Sequence, residues 1–318
     1  MATDVNIISR TNADALIPIE YSREIIQNVP QRSKLLPLMR RLPNMSAKQR
    51  VLPVLSALPS AYFLNGDTGQ KKTTNSEWDK ITLTAEELAV IVPIPESVLD
   101  DSSYDIWGEL RPQIEEAFGV AIDAAILNGT NKPTSWPEAI VPAAIAAENK
   151  IEIGTNTDLA SDIIGLNGLM DLVESDGYRV NGFFADGTME ARLRDLRDKN
   201  NQLLYMPSLT SSVPSTMIGR PIEYDNQGVF DATKALMVAG DFTKAVYSLR
   251  QDMTYKVLDQ AIIQNTDGTI AYNLAQQDMV ALRCVMRLAV QIANPITRKN
   301  ATSSTRYPFA VLQPKATT

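Results

Sequence analysis

The sequence has no histidine among its 318 residues. Histidine is the usual general base of hydrolases, the commonest zinc ligand and the side chain that titrates near neutral pH. Its absence excludes sites built on an imidazole, and the paired acids at 86–87, 100–101 and 115–116 do not replace one. Neighbouring residues on a helix or strand point in different directions, so we interpret these acids as solvated surface. We therefore predict no catalytic, cofactor or metal site, and a protein that is not an enzyme.

Thiols and long apolar runs are also scarce. Cys284 is the only cysteine, so an intrachain disulfide cannot form, and its apolar neighbours predict a buried thiol. No apolar run is long enough to span a bilayer, and the first residues lack the hydrophobic core of a secretory signal. No membrane partner is therefore expected.

Positive charge is in deficit. The net charge is -7, whereas a dedicated nucleic-acid binder usually gathers a basic excess on one face. Basic residues do cluster between 32 and 50, and we interpret them as a solvated segment or as ion-pair partners of a neighbouring subunit. This cluster comprises Arg32, Lys34, Arg40, Arg41, Lys48 and Arg50.

A regular apolar stripe runs through residues 101–129. Apolar side chains recur at every fourth position, which places them on one face of a long helix. They are Ile106, Leu110, Ile114, Phe118, Ile122 and Ile126. We predict a helix over about 105–128, capped by Ser102 or Ser103 and stopped at Gly129, with Pro112 at a kink or in the first turn.

The segments before this helix are not those of a compact core. Four prolines interrupt residues 1–45, which leaves room for one short helix over 21–28. An apolar but interrupted segment of this kind must be covered by something else, such as another copy of the chain.

A long two-stranded ribbon is predicted next. Residues 51–64 and 81–94 are rich in β-branched and aliphatic side chains, and a polar tip with Asn65, Gly66 and Gly69 lies between them. Prolines along both strands suit an exposed edge. An isolated ribbon is marginal in water, so we expect it to lie on a partner surface.

The remainder predicts mixed helices and strands, and hence an α+β fold. Helices are expected at 159–177 and 188–197, strands at 180–185, 221–224, 235–239 and 245–249, and a polar loop at 198–215. From 280 to 292 apolar residues alternate without a miss, a period that indicates a strand and not a helix. A last short strand is expected at 308–312.

Several phrases, taken in order, resemble one family. They are IPESVLDDS (94–102), AIDAAILNGT (121–130), IGRPIEYDN (218–226), VAGDFTKAVYSLR (238–250) and ALRCVMRLAVQIANP (281–295). Together they resemble the major capsid protein of tailed double-stranded DNA bacteriophages, which has the Hong Kong 97-like fold. The resemblance extends over about residues 15–312.

This resemblance implies a division of the subunit into named parts. Residues 1–45 would be the N-arm, 46–95 the extended E-loop β-hairpin, 96–150 with 250–312 the peripheral P-domain, 151–249 the axial A-domain and 313–318 a tail. The spine helix (about 105–128) and the closing strand (about 280–292) would both belong to the P-domain.

The resemblance also implies a structural function. Copies would self-assemble into pentamers and hexamers that form the icosahedral head around phage double-stranded DNA, with non-specific contact to that DNA. The protein would be located in the virion after assembly in the host cytoplasm. Portal, cement and separate scaffolding proteins would be its partners. The founding member of the family carries a scaffolding segment before the N-arm, for which this chain leaves no room. We therefore expect either a separate scaffolding protein or a processed form of the chain, and Met1 favours the former.

Some members of the family lock their shells with a self-catalysed Lys–Asn isopeptide bond assisted by a glutamate. The resemblance places Asp278 at the asparagine position and Val285 at the glutamate position, while Lys71 and Lys72 lie suitably near the ribbon tip. Aspartate supplies no ammonia as leaving group and valine is no base, so we expect no isopeptide crosslink.

Two alternatives differ in function. An encapsulin-type nanocompartment shell protein has the same fold, and a co-purifying cargo enzyme would favour it, although residues 1–45 show no sign of its N-terminal helix or cargo-peptide pocket. An ordinary α/β enzyme would instead need a chemically equipped pocket, for which the sequence offers no convergent set of residues.

Overall fold

The computed structural model describes residues 32–63, 71–101, 105–197 and 216–315. Several predicted features lie outside these ranges: the helix at 21–28, the ribbon tip at Asn65, Gly66 and Gly69, the candidate caps Ser102 and Ser103, and the loop at 198–215.

The described elements, in chain order, are these. The strands are β1 (Arg40–Arg41), β2 (Gln49–Ala57), β3 (Glu77–Thr84), β4 (Glu86–Pro95), β5 (Lys150–Glu152), β6 (Gly182–Asp186), β7 (Thr216–Met217), β8 (Arg220–Asp225), β9 (Met237–Gly240), β10 (Ala245–Leu258), β11 (Ile262–Gln264), β12 (Ile270–Asn273), β13 (Met279–Ile292) and β14 (Phe309–Gln313). The helices are α1 (Glu96–Asp101), α2 (Ile106–Leu127), α3 (Ile140–Ala146), α4 (Leu159–Ile164), α5 (Leu169–Ser175) and α6 (Gly187–Arg194).

A four-stranded sheet carries the long closing strand. Its order is β1-β10-β13-β4, and β13 pairs antiparallel with both of its neighbours. Alternate side chains of β13 are buried, so the strand predicted over 280–292 is confirmed. The buried side chains of this series are Leu282, Cys284, Met286, Leu288 and Val290.

Helix α2 shares a buried cluster with that face of the sheet. Ile114, Phe118 and Ile122 of its predicted stripe are buried in the same cluster as the apolar side chains of β13. The helix predicted over about 105–128 is therefore confirmed, and so is its stop. Gly129 follows the C-cap Asn128 with φ +80°, a left-handed conformation that glycine adopts without strain.

The predicted start of α2 was wrong in one detail. Asp105, and neither Ser102 nor Ser103, is the N-cap, because its carboxylate accepts a hydrogen bond of 3.0 Å from the Gly108 amide. Pro112 lies inside the helix and not in its first turn.

A six-stranded sheet forms the second layered unit. Its order is β5-β14-β9-β6-β8-β7, with β6 parallel to β8 and antiparallel to β9. Phe183 of β6 is buried with Met189 and Leu193 of α6 and with apolar side chains of α5. The fold is thus a mixed one of helices and sheets.

Two expectations for this unit need correction. The single helix expected over 159–177 is two helices, α4 and α5. A Cβ atom on Gly168 would lie 2.7 Å from the Gly165 carbonyl oxygen and 2.8 Å from that of Ser161, so the chain turns where only glycine fits. Strand β14 was grouped with the P-domain residues but pairs here with β9 and β5 in the six-stranded sheet. The domain boundaries themselves stay a prediction.

The ribbon also differs from its predicted pairing. β2 pairs antiparallel with β3, so that Val51 lies opposite Thr82, but the second strand does not continue to residue 94. Beyond Ala85 the chain leaves the ribbon as β4, where Ile94 lies opposite Val280 of β13. β4 is an outer strand of its sheet, the position in which prolines such as Pro93 are tolerated.

Candidate assembly surfaces

The outer face of the ribbon exposes large apolar side chains. Trp78 is 63% exposed, Val51 is more than half exposed, and Phe63 beside the tip is fully exposed. The ribbon base, in contrast, is buried. Leu83 and Ala85 pack with Met45, Val246 and Ala289 in a small cluster of their own. The ribbon is therefore anchored at one end and presents an uncovered apolar face along its length.

The ribbon is also held from the side by residues 293–306, which we call the clamp loop. The Ile296 amide donates to the Leu55 carbonyl at 3.1 Å, and the Arg298 guanidinium donates to the Pro59 carbonyl at 2.8 Å. Between the ribbon and the four-stranded sheet a cavity of about 320 Å³ remains, with Leu52, Val54 and Pro295 among its lining residues. The side of the ribbon is thus loosely packed.

The other side of the clamp loop is attached to the end of α5. Asp176 is buried and accepts from Asn149 Nδ2 at 2.8 Å, Asn300 Nδ2 at 2.7 Å and the Tyr307 amide at 3.0 Å. The Arg306 guanidinium is buried nearby and donates to Asn294 and Asn300 oxygens. Sequence reasoning missed this network, since no local pattern pairs residues more than a hundred positions apart.

A second apolar surface lies on the small hairpin of β11 and β12. Ile262, Ile270 and Tyr272 of the hairpin are exposed, as is Val257 near the end of the preceding strand β10. An isolated two-stranded hairpin with apolar side chains in water is marginally stable, which makes it a candidate for cover by a partner.

The chain just before β1 is tied to the long helix by one buried carboxylate. Asp123 of α2 accepts from Ser33 Oγ at 2.6 Å, the Lys34 amide at 2.8 Å and the Leu35 amide at 3.4 Å. Burial raises the pKa of Asp123 to about 6, despite the opposing effect of these donors. Gly119 lets the two segments approach, because a Cβ atom there would lie 2.6 Å from the Ser33 nitrogen.

The basic cluster of the sequence is used largely within the chain. Arg32 forms an ion pair of 2.9 Å with Glu115, and Lys34 lies 3.8 Å from Glu223. Arg50 donates to the carbonyls of residues 43 and 44 at 2.7 and 3.0 Å. These three side chains therefore link segments of the same chain.

The paired acids also have structural partners. Glu86 accepts from Ser135 Oγ at 2.7 Å, Glu87 lies 3.9 Å from Arg287, and Glu116 accepts from Gln227 Nε2 at 3.3 Å. Within the described residues, no group of three or more acids and thiols could hold a metal ion. Nor is any helix of the described ranges long and apolar enough to cross a membrane.

The surroundings of the single thiol, Cys284, make it unreactive. Cys284 is completely buried, and burial raises the pKa of its thiol, which lowers the thiolate fraction at neutral pH. The predicted buried cysteine is confirmed.

The two residues at the expected crosslink positions have different surroundings. Asp278 is exposed at the start of β13, where its carbonyl accepts from the Glu96 amide at 2.9 Å. Val285 is half-buried within β13 opposite Ala89. Lys71 and Lys72 are exposed, and Lys72 Nζ lies 5.8 Å from the ring centroid of Tyr62. The absence of a crosslink stays a prediction.

Known proteins resemble the chain in sequence. The model of the phage capsid family matches residues 13–297. The major capsid protein of Staphylococcus phage 80alpha is 29% identical over 294 residues, which cover 91% of this chain and 85% of that protein.

Solved structures agree with these matches. A chain from Microbacterium phage Oxtober96 has a TM-score of 0.83 at 38% identity and covers 97% of this chain and all of its own length. A chain from Mycobacterium phage Cain has a TM-score of 0.82 at 30% identity, over 98% of this chain and 100% of that one. The capsid of a native GTA particle shares the fold at 16% identity, with a TM-score of 0.66 over 92% of this chain and 100% of that one.

Proposed function

Because the chain belongs to the phage capsid family and is a structural protein of the phage head shell, we propose that its copies form pentamers and hexamers that close into an icosahedral head around double-stranded DNA. The observation that carries this proposal is the ribbon, whose apolar outer face no described residue of the chain covers. A second copy supplies the missing cover. No relative named above is an encapsulin, so the phage head is preferred to a cargo compartment.

The parts of the subunit then take the family's roles. The ribbon is the E-loop, the four-stranded sheet with α2 is the P-domain, and the six-stranded sheet is the A-domain, to which we now assign β14 because of its pairing. Residues 32–45 are the end of the N-arm, held to the spine helix by Asp123. These assignments make a Hong Kong 97-like subunit.

Each interface between copies contributes only a modest affinity, but the many contacts of a closed shell add up to a large one. The ribbon and the β11–β12 hairpin present separate apolar surfaces, so one copy engages several neighbours at once. Linked contacts within a closed shell act as intramolecular ones, and their combined affinity exceeds that of any single contact. Heterologous contacts close into rings, which is the arrangement that pentamers and hexamers require.

The wider partners follow the same proposal. The DNA contact is non-specific and weak, in keeping with the net charge of -7. Scaffolding, portal and cement proteins are further partners, and assembly takes place in the host cytoplasm. Support for these partners comes from the family resemblance alone.

Electron microscopy after size-exclusion chromatography tests the proposal. The chain, expressed with its neighbouring head genes and purified at several concentrations, is expected to give icosahedral shells or free rings of five and six. Shells that enclose a co-purified enzyme would favour the cargo compartment. A monomer that never assembles at any concentration would overturn the proposal.

A further inference from the structure

The turn between β7 and β8 has an unusual residue at its tip. Ile218 and Gly219 are its two central residues, with φ +54° and +70°, the signs that a type I′ hairpin turn requires. Glycine accepts this conformation freely, whereas a β-branched side chain does not. The other described non-glycine residues with positive φ are Asn131, Glu148, Asn167 and Asp278, all polar. Among the described residues, Ile218 is thus the one aliphatic side chain held in this conformation.

This residue is unfavourable in a second respect. The Ile218 side chain is 55% exposed, so the isolated subunit gains little from its apolar character. Asparagine followed by glycine is the preferred pair for such a turn. Isoleucine at this position is unfavourable for the isolated subunit, both because of its backbone conformation and because its apolar side chain is in water. This indicates that the residue serves a contact outside the subunit.

The turn is held firmly from behind. Met217 is buried in the core of the six-stranded sheet. The Arg220 guanidinium lies 3.6 Å from Met170 Sδ and 3.9 Å from a Glu174 carboxylate oxygen, both on α5. These contacts fix the turn against the helix, so the tip is preorganised while Ile218 stays more than half exposed.

Two exposed apolar residues, which we call the apolar rim, lie on and beside α4, which contacts α5, the helix that Arg220 also contacts. Leu166, in the turn between α4 and α5, is 80% exposed, and Ile164, the last residue of α4, is about half exposed. One knob and an apolar rim on a shell subunit suit a heterologous contact, in which different surfaces of identical copies meet.

We propose that Ile218 is an assembly knob that inserts into an apolar surface on an adjacent copy of the chain. The inference rests on the proposed function and names a contact within it. The strained turn keeps the side chain extended before the copies meet, so little conformational entropy is lost on association. The local cost in the subunit is recovered when the aliphatic group leaves water.

Ile218→Asn separates this role from a role in folding. Asparagine relieves the strained turn, so the thermal midpoint of the unassembled subunit is expected to rise by about 2 °C. Loss of the buried aliphatic group is expected to raise the concentration needed for ring and shell assembly by about tenfold or more. Ile218→Leu is the matched control, because it keeps an aliphatic knob and should assemble within about twofold of the wild type.

Sedimentation velocity and electron microscopy, with the neighbouring head genes co-expressed, give the assembly readout. Unchanged assembly of Ile218→Asn would overturn the inference and leave the proposed function standing. A lower thermal midpoint would overturn it too, because it would mean that Ile218 already packs on other residues of its own chain. Failure of the wild type itself to assemble would instead refute the proposed function.

Discussion

Asp123 joins two parts of the chain that lie 90 positions apart. Its carboxylate holds the residues before β1 against the spine helix through Ser33 and two backbone amides. The buried Asp225 is close enough to raise the pKa of Asp123 slightly further, in the same direction as burial itself. This residue therefore makes the position of the N-terminal segment sensitive to pH.

The sign of that sensitivity follows from linkage. The pKa of Asp123 is about 6 in the folded chain, whereas an ordinary aspartate, as in the unfolded chain, has a pKa of 3.8. Between pH 3.8 and pH 6 the folded state therefore binds more protons than the unfolded state. Stability from this group is fully present below about pH 3.8 and is lost as the pH rises through 6. We expect acidification from pH 7 to pH 5 to add about 1 kcal/mol to the free energy of unfolding.

Urea unfolding of the unassembled chain at several pH values measures this effect, with Asp123→Asn as the reference that cannot titrate. The pKa values of Asp158, Asp231 and Asp267 are lowered by hydrogen bonds to their carboxylates, so their contribution is lost only below pH 4 and in the opposite sense. A wild-type slope equal to that of the variant between pH 5 and 7 would contradict the expectation.

Single residues also mark the limit of sequence reasoning. The buried state of Cys284 was predictable, because its apolar neighbours alternate around it. The N-cap Asp105 was not, since three candidate caps stand within four residues and only the fold decides which carboxylate or hydroxyl meets an amide. Asp123 was missed altogether, because its partners lie far away in the sequence.

Among the elements, the ribbon separates assembly from folding. Trp78 on its exposed face should contribute little to the isolated subunit, so Trp78→Ala is expected to change the free energy of unfolding by about 0.5 kcal/mol or less. In the proposed assembly, the same change also removes a large apolar contact with the neighbouring copy. We expect the concentration needed for shell assembly to rise by about tenfold or more.

Leu83→Ala, on the same strand β3, is the matched contrast. Leu83 is fully buried at the ribbon base, so its truncation should cost the subunit about 2–5 kcal/mol. Denaturant unfolding of both variants, alongside sedimentation, compares the two effects. Equal loss of subunit stability in both variants would contradict this expectation, because it would show that Trp78 packs on its own chain.

Elements with a regular period were predictable, and those decided by distant partners were not. β13 and α2 repeat their apolar residues at intervals of two and about four, and each forms as expected. The run at 81–94 contains two strands of similar composition, with Ala85 between them and no turn residue. Only the pairing of β4 with β13 separates them.

At the scale of the whole molecule, we expect no isopeptide crosslink between subunits. The family resemblance places Asp278 and Val285 where the crosslinking chemistry needs an amide and a carboxylate, so we expect no such bond to form. Mature particles boiled in denaturant are expected to release a single band near 35.0 kDa on a gel. A ladder of multimers that resists boiling and reducing agent would refute this.

The clamp loop has a mechanical consequence. It is hydrogen-bonded on one side to the ribbon at Leu55 and Pro59 and on the other to the end of α5, so a load on the ribbon is transmitted to the six-stranded sheet. The two bonds to the ribbon are worth about 1 kcal/mol each, less than the buried base around Leu83. When a neighbouring copy pulls on the ribbon, we expect these two hydrogen bonds to break first. The middle of the ribbon is then released from the clamp loop, while its buried base continues to bear the load.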